Sequence, residues 1–411
     1  MSLFHRLKAW WRGWTSAAAT SAADDARLPS PGRVPEPHAA PANDVVACAR
    51  PAQRRPLHAV AGPGPRRVRL ALQGGGSHGA FTWGVLDGLL QRPDIDIEAI
   101  SGTSAGALNA AVLATGWSRG GRDGAREALH GFWRDIADAG GGYLLPARSG
   151  QFGAPFSLDA VPGYDWASRV MRTLSPYDYN PLNLNPLRDV LARHVDEDAL
   201  RNGPIRVFAA ATVVRSGEPR VFSGAALGIE ALLASACLPF LFQAIEIDGE
   251  AYWDGGYCAN PALHPLLEPD ADCDIVVVRL NPAHRDGVPR RSSEIMDRIN
   301  EITFNSSLLA ELRVIAQLDR LRRQAAPDDA RAVEWRLHVI ADDVELATLP
   351  ASSRLRTDPG FVERLHGFGL AAFDRFLDAH GDAIGHRSSH VEVPRERDSD
   401  AQVGLRFDPA A

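Results

Sequence analysis

Residues Ile95 to Thr115 have the sequence IDIEAISGTSAGALNAAVLAT. The apolar residues at its start predict a β-strand over Ile95 to Ile100, and the small apolar residues at its end predict a helix over Ala105 to Thr115. The turn between them is Gly102-Thr103-Ser104-Ala105-Gly106. A serine at the tip of a tight strand-to-helix turn needs small neighbours, so this pattern is typical of a nucleophile elbow. Ser104 is therefore the candidate nucleophile, and an ordinary glycine turn is the alternative.

The sequence around this stretch continues the alternation of strands and helices. Buried strands are predicted over Val68 to Leu72 and Asp274 to Leu280, with a helix over Ala80 to Leu90. This succession predicts an α/β sheet flanked by helices. From Gly140 to Pro186 the pattern lapses into Gly, Pro and aromatic residues. The aromatic stretch Tyr143 to Tyr179 is interpreted either as a lid over the site or as ordinary packing of an irregular insertion.

A second glycine-rich turn, Gly74-Gly75-Gly76-Ser77-His78-Gly79, follows the first predicted strand. Its spacing also fits a dinucleotide-binding turn, but the next acidic residues lie on the way to the Ser104 turn rather than at a second strand end. Backbone N–H groups at the start of a helix stabilise a developing oxyanion. We therefore expect an oxyanion hole here, with Gly75 and Gly76 as donors.

The candidate base lies far along the chain, in Gly249-Glu-Ala-Tyr-Trp-Asp-Gly-Gly-Tyr257. This stretch predicts a hairpin that ends at Asp254, followed by Gly255 and Gly256. An aspartate beside two glycines can be aimed into a site, although such a residue also occurs in plain turns.

Composition limits the class of protein. The 411 residues include 44 Lys+Arg and 51 Asp+Glu, for a net charge of −7, and 45% are hydrophobic, which is typical of a soluble globular protein. No stretch approaches the roughly 18 apolar residues that span a bilayer. Neither a disulfide framework nor a zinc site is indicated by the four cysteines. These are Cys48, Cys237, Cys258 and Cys273.

Charge and composition also divide the chain. Met1 to Arg69 carry eleven Lys+Arg and four Asp+Glu, a net +7 within an acidic protein. Residues 1–65 are expected to form a basic, Ala- and Pro-rich, largely disordered tail, residues 66–390 the folded domain, and residues 391–411 a disordered C-terminal tail. Residues 2–14 combine tryptophans with arginines at helical spacing, which predicts a short amphipathic helix for an anionic membrane surface.

Taken together, the three motifs resemble those of the patatin-like phospholipases, and the resemblance covers roughly Arg66 to Asn281. Ser235 to Gln243 and Asn260-Pro261 are also similar to that family. The resemblance implies a three-layer α/β/α fold with a mainly parallel central sheet. It further implies a serine acyl hydrolase that cleaves lipid esters through a Ser104–Asp254 dyad, with the Gly74 to Gly79 backbone as oxyanion hole. No metal, cofactor or nucleic acid is expected, and the expected location is cytoplasmic or peripheral to a membrane.

The sequence departs from the family pattern at His78, where many members have Arg or Lys. A fixed cation there would hold a phosphate-bearing head group, whereas histidine is largely neutral above about pH 6.5. Both a phospholipid and a neutral ester therefore remain open as substrates. His78 itself is interpreted either as a substrate-binding residue or as a helix-start residue hydrogen-bonded to backbone.

Two alternatives to the dyad enzyme stay open, and the oligomeric state is not predicted. One is an α/β-hydrolase-like esterase with a Ser-Asp-His triad, whose histidine must follow Asp254 in the chain. The other is a lipid-surface or granule-binding protein recruited through Met1 to Trp14, with secondary esterase activity. The available histidines are His264, His284, His338, His366 and His380.

Overall fold

The strand predicted first in the sequence lies in the middle of the sheet. A computed structural model gives the structure over residues 65–140, 174–267, 273–285, 287–325 and 335–390. Within these ranges one sheet has eight strands. They are β1 (Arg66–Leu72), β2 (Ile95–Thr103), β3 (Arg206–Val213), β4 (Pro219–Ser223), β5 (Ile245–Ile247), β6 (Glu250–Asp254), β7 (Cys273–Val278) and β8 (Trp335–Ile340).

Five of the strands form a parallel core in the order β3-β2-β1-β7-β8. Leu72, the last residue of β1, pairs with Gly102 of β2 on one side and with Val278 of β7 on the other. The carboxyl ends of the central strands therefore meet at one edge of the sheet. The glycine loop after β1 and the Ser104 turn after β2 both begin at this edge.

Strands β4 and β6 pair antiparallel with β3, and β5 pairs antiparallel with β6. Ala211 of β3 pairs with Arg220 of β4 and also with Asp254 of β6. A strand has two edges along which it can pair. Because β4 occupies one edge of β3, β6 pairs along the other edge, which is also the edge that β2 uses. Thr103 pairs with Ala210, the residue before Ala211, so β2 and β6 meet end to end. This arrangement brings the residue after β2 next to the last residue of β6.

Helices cover both faces of the sheet. In chain order they are α1 (Gly79–Leu90), α2 (Ala105–Gly140), α3 (Pro176–Tyr179), α4 (Pro186–His194), α5 (Glu197–Asn202), α6 (Ile229–Ser235), α7 (Ser292–Ala325) and α8 (Pro359–His380). The helix predicted over Ala105 to Thr115 continues to Gly140, with a kink at Gly120 and Gly121.

Alternate residues of the central strands supply two separate apolar cores. Leu70 and Leu72 of β1 pack with α1, α2 and α8, while Ala71 packs on the other face with Leu308 and Leu312 of α7. A sheet buried on both faces between helices is a three-layer α/β/α fold, and this confirms the predicted fold class.

Several predictions fall outside the described residues. They concern the tail over residues 1–65 with its helix at 2–14, the C-terminal tail over 391–411, and most of the aromatic stretch that begins at Tyr143. Among the helices in the described ranges, none combines the length and the apolar character needed to cross a bilayer.

Candidate active site

Ser104 lies at the turn from β2 into α2 in a strained backbone conformation. Its φ is +52°, in the left-handed region that residues with a side chain seldom adopt. The turn is also crowded, because a Cβ atom on Gly106 would lie 2.1 Å from the carbonyl oxygen of Leu72. Only glycine fits at that position. The geometry is therefore that of the predicted nucleophile elbow.

A buried serine on another helix fixes the backbone of this turn. The N–H of Ser104 donates a hydrogen bond to Ser235 Oγ at 2.9 Å, and the Ser235 hydroxyl donates to the carbonyl of Ala210 at 2.6 Å. Ser235 is fully buried. It thus ties the nucleophile turn to β3, a positioning role that the sequence analysis did not identify.

Asp254 ends β6 beside that turn and is held by several backbone contacts. Its N–H donates to the carbonyl of Cys237 at 2.8 Å, and its own carbonyl accepts from Thr212 Oγ1 at 2.8 Å. Its Oδ1 accepts from the N–H of Gly256 at 2.7 Å. The predicted hairpin is present, and the carboxyl group has a fixed orientation.

Burial changes the acidity of this carboxyl group. Asp254 is completely buried, and the loss of water contact raises its pKa to about 6, although the hydrogen bond from Gly256 and the nearby Ser104 hydroxyl act to lower it. No hydrogen bond of normal geometry joins the two side chains, and Oδ2 has no partner among the described residues. Such bonds are often loose in the absence of substrate. The unpaired Oδ2 is therefore available to the serine hydroxyl.

The glycine loop approaches Ser104 directly. A Cβ atom on Gly74 would lie 2.8 Å from the Cβ of Ser104, so any side chain there would collide with Ser104. The N–H of Gly74 donates to Asn260 Oδ1 at 2.7 Å. Asn260 is fully buried and also donates to the carbonyl of Phe304 at 3.1 Å. Asn260 thus connects the loop to the segment that follows Asp254.

The loop hydrogen bonds narrow the set of expected oxyanion donors. The N–H of Gly74 is bound to Asn260, that of His78 to the carbonyl of Gly75, and that of Gly79 to the carbonyls of Gly76 and Ser77. Among the described residues, the N–H groups of Gly75, Gly76 and Ser77 have no acceptor. This group includes Gly75 and Gly76, the two residues expected from the sequence to be donors.

Gln73, immediately before the loop, is bound by two distant segments, the one that follows β7 and helix α7. Its Oε1 accepts from the N–H groups of Leu280 and Asn281 at 2.8 and 2.9 Å. Its Nε2 donates to Asn305 Oδ1 at 2.9 Å. Asn305 in turn donates to the carbonyl of Pro282 at 3.1 Å. This chain of buried amides fixes the start of the glycine loop.

His78 has a different environment from either of those expected. Ser353 Oγ donates to the carbonyl of Pro350 at 2.6 Å, so it accepts from His78 Nε2 at 2.8 Å. Burial, and to a smaller extent the charge of Arg354, lower the pKa of His78 to about 3. His78 is therefore a neutral, buried residue that is bound to a side chain rather than to backbone, and it offers no charge to a substrate.

Arg354, a cation that no sequence pattern singles out, lies against the glycine loop. A Cβ atom on Gly76 would lie 3.3 Å from the Cβ of Arg354. Its guanidinium lies 5.9 Å from the centre of the Phe304 ring. Phe304 in turn packs on Gly256, so Arg354 lies between the glycine loop and the Asp254 turn. Burial lowers the pKa of Arg354.

Among the described residues, no histidine side chain is hydrogen-bonded to Asp254 or Ser104. His264 and His284 are exposed. His338 bonds Asp274 and Ser389, each at 2.9 Å. His366 stacks on Trp83 at 4.0 Å between ring centres, and His380 lies against Phe376. Within the same ranges, no group of three or more His, Cys, Asp or Glu side chains is placed to hold a metal ion.

Comparison with known proteins adds the following. Residues 70–267 match the family described as patatin-like phospholipase. No curated protein matches this sequence. A similar solved structure is VipD from Legionella pneumophila, with 15% identity over 77% of this chain and 67% of that chain and a TM-score of 0.37.

Two further structures contain ExoU. In its complex with SpcU from the type III secretion system of Pseudomonas aeruginosa, the identity is 15% over 76% of this chain and 53% of that chain, with a TM-score of 0.28. For the type III effector protein ExoU alone, the identity is 16% over 77% and 53%, with a TM-score of 0.29. This chain thus spans about half of the ExoU chain.

Proposed function

Since residues 70–267 of this chain belong to the patatin-like phospholipase family, we propose that the protein is a lipid acyl hydrolase that cleaves carboxylic esters through Ser104 and Asp254. The observation that carries this proposal is the meeting of β2 and β6 along one edge of β3. This meeting brings Asp254, whose Oδ2 has no hydrogen-bond partner among the described residues, next to Ser104 in its elbow conformation.

In the first half of the reaction, Ser104 Oγ attacks the ester carbonyl carbon and Asp254 takes the hydroxyl proton. The carbonyl oxygen becomes an oxyanion, and we assign the N–H groups of Gly75 and Gly76 to stabilise it. When the tetrahedral intermediate collapses, the bond to the alcohol oxygen breaks. Asp254 returns its proton to that oxygen, and the acyl group stays on Ser104.

In the second half, water replaces the alcohol. Asp254 removes a proton from the water, whose oxygen attacks the acyl carbon, and the same backbone donors serve the second oxyanion. Collapse then releases the fatty acid and returns a proton to Ser104.

The raised pKa of Asp254 suits this work. An aspartate of ordinary pKa is a weak base, whereas one with a pKa near 6 is stronger and still ionised at neutral pH. Because burial is the cause of this shift, the base needs no histidine to reach a useful strength.

The experiment compares wild type with Ser104→Ala and Asp254→Asn on a soluble chromogenic ester and on a mixed lipid extract. Each substitution should lower kcat by about 10³-fold or more, because a nucleophile and its base act as one unit. Fatty acid release, measured by mass spectrometry, identifies the class of ester that is cleaved.

Ser216→Ala is the matched control, since Ser216 lies in an exposed turn after β3 and should leave turnover unchanged. Turnover by Ser104→Ala near the wild-type rate would refute the nucleophile. If wild type binds lipid but releases no fatty acid, the protein is a lipid-surface protein and the hydrolase proposal is wrong.

A further inference from the structure

One side of the long helix α7 is exposed along its whole described length. Residues three or four positions apart share one face of an α-helix. One series of such steps runs through eight exposed residues, namely Ile295, Ile299, Ile302, Ser306, Ala310, Arg313, Gln317 and Arg320. We refer to this side as the outer face of α7. Its first half contains Ile295, Ile299 and Ile302, and its second half contains Ala310, Arg313 and Arg320.

The first half of the outer face is apolar. Ile295, Ile299 and Ile302 are 42%, 49% and 54% exposed, and Met296 beside them is 40% exposed. Single exposed apolar side chains are common on protein surfaces, but a contiguous group of four on one helix marks a surface that contacts something else.

The second half of the outer face contains two arginines, with the exposed apolar side chains of Val314, Leu318 and Leu321 beside them. Its charged residues are Arg313 and Arg320, and none of its positions is acidic. The acidic residues of α7 lie at other positions around the helix, and Asp297 and Glu301 are examples. Because the whole chain has a net charge of −7, a face with arginines and no carboxylates does not follow from average composition. It favours an anionic partner.

The outer face of α7 lies on the side of the helix that points away from the Asp254 turn. Phe304, on the inner side of the same helical turn as Ile302, would contact any Cβ placed on Gly256. The Phe304 ring meets Tyr257 edge-on, with 5.5 Å between ring centres, and Tyr257 is itself 39% exposed. One turn of α7 therefore borders the Asp254 turn on one side and presents isoleucine to solvent on the other.

We propose that the outer face of α7 docks the domain on an anionic lipid surface. The inference rests on the proposed hydrolysis of lipid esters, because such substrates are held in aggregates that the enzyme has to reach. Isoleucine side chains would enter the layer below the head groups, and the arginines would contact anionic head groups. This surface belongs to the catalytic domain and is separate from the helix expected over residues 2–14.

The test measures binding of the full chain to phosphatidylcholine vesicles with and without phosphatidylglycerol. Ser104→Ala is the background for sedimentation, so that hydrolysis cannot alter the vesicles. One variant combines Ile299→Asn with Ile302→Asn, and a second combines Arg313→Gln with Arg320→Gln. Val344→Asn is the control, because Val344 is 77% exposed on a loop outside α7. Thermal melting shows that each variant is folded.

The variant with Ile299→Asn and Ile302→Asn should bind vesicles that contain phosphatidylglycerol about tenfold or more weakly than the parent protein does. The Val344→Asn control should bind them as the parent protein does. The arginine pair should bind those vesicles more weakly and lose part of the salt dependence. With Ser104 restored, the ratio of turnover on vesicles to turnover on a soluble ester should fall for both pairs.

Unchanged vesicle binding by the isoleucine pair would overturn the proposal. It would also be overturned if sedimentation velocity showed that the pair abolishes self-association without altering vesicle binding, since the face would then join two copies of the chain. If the wild type binds vesicles through this face but hydrolyses no ester, the proposed function is refuted and the proposed docking surface stands.

Discussion

Ser104 and Asp254 are each held in a state that opposes folding. A left-handed backbone at a residue with a side chain costs about 1–3 kcal/mol, and Ser104 has φ of +52°. Asp254 is fully buried with one oxygen unpaired, so ionising it inside the protein is unfavourable. Both costs fall at the site proposed for ester cleavage, and functional sites are where such costs commonly occur.

The titration of Asp254 should appear in both rate and stability. Because the base has to be ionised, kcat/KM on a soluble ester should fall as the pH drops through about 6. The folded protein also keeps this proton to a higher pH than the unfolded chain does. Protonated Asp254 therefore stabilises the folded protein near pH 4. This contribution to the free energy of unfolding, up to about 3 kcal/mol, is lost as the pH rises through about 6.

The variant Asp254→Asn separates the two effects. It retains the oxygen that accepts from Gly256 but cannot ionise, so at pH 8 it should melt at a higher temperature than wild type while being inactive. At pH 4 the two melting temperatures should converge. The comparison cancels the titration of His78, which is common to both proteins. A variant less stable than wild type at pH 8 would show that Asp254 is not strained by burial.

At the level of secondary structure elements, loops that follow different strands hold each other in place. Asn260, in the segment after the Asp254 turn, binds the N–H of Gly74 and the carbonyl of Phe304 on α7. Thr103 and Ser101 of β2 donate to the carbonyls of Ala259 and Ala262 in the same segment. These bonds therefore join the strand that precedes Ser104, the glycine loop and the Asp254 turn.

Asn260→Ala should test this coupling. It leaves the buried N–H of Gly74 without an acceptor, and we expect the free energy of unfolding to fall by about 1–3 kcal/mol. The glycine loop would shift, so kcat on a short soluble ester should drop while KM changes little. Asn202→Ala, at the exposed end of α5, is the control. A loss of stability with unchanged kcat would assign Asn260 a structural role alone.

The sequence predicts those parts of the site whose residues are neighbours in the chain. The Ser104 turn, the glycine loop and Asp254 could each be identified because the required residues are consecutive and follow a strand. Ser235 and Arg354 could not, because their contacts join segments far apart in the chain and follow no periodic pattern. The environment of His78 was missed for the same reason, since its partner Ser353 lies 275 residues later.

Across the whole molecule, a second buried group of polar residues holds the chain after α8 to the sheet. His338 of β8 bonds Asp274 of β7 and Ser389, and the N–H of Gly385 donates to Asp274 at 2.8 Å. These are the residue types of a catalytic triad, but Asp274 lies near the start of β7 and Ser104 follows the end of β2. Because His338 is fully buried, we interpret this group as structural.

His338→Ala distinguishes this interpretation from the triad alternative. Removing the imidazole leaves a buried carboxylate without one of its partners, so the free energy of unfolding should fall by about 2–4 kcal/mol in a denaturant titration. Turnover of a soluble ester, measured well below the melting temperature, should remain close to that of wild type. A folded variant as inactive as Asp254→Asn would favour a triad instead.

The bonds that fix the glycine loop also bear on protein synthesis. Gly74 is bound by a residue 186 positions later, and Gln73 by one 208 positions later. A ribosome makes Ser104 long before it makes either partner, so a nascent chain has the serine without a shaped oxyanion pocket. We therefore expect the proposed ester cleavage only from a chain that extends beyond Asn281.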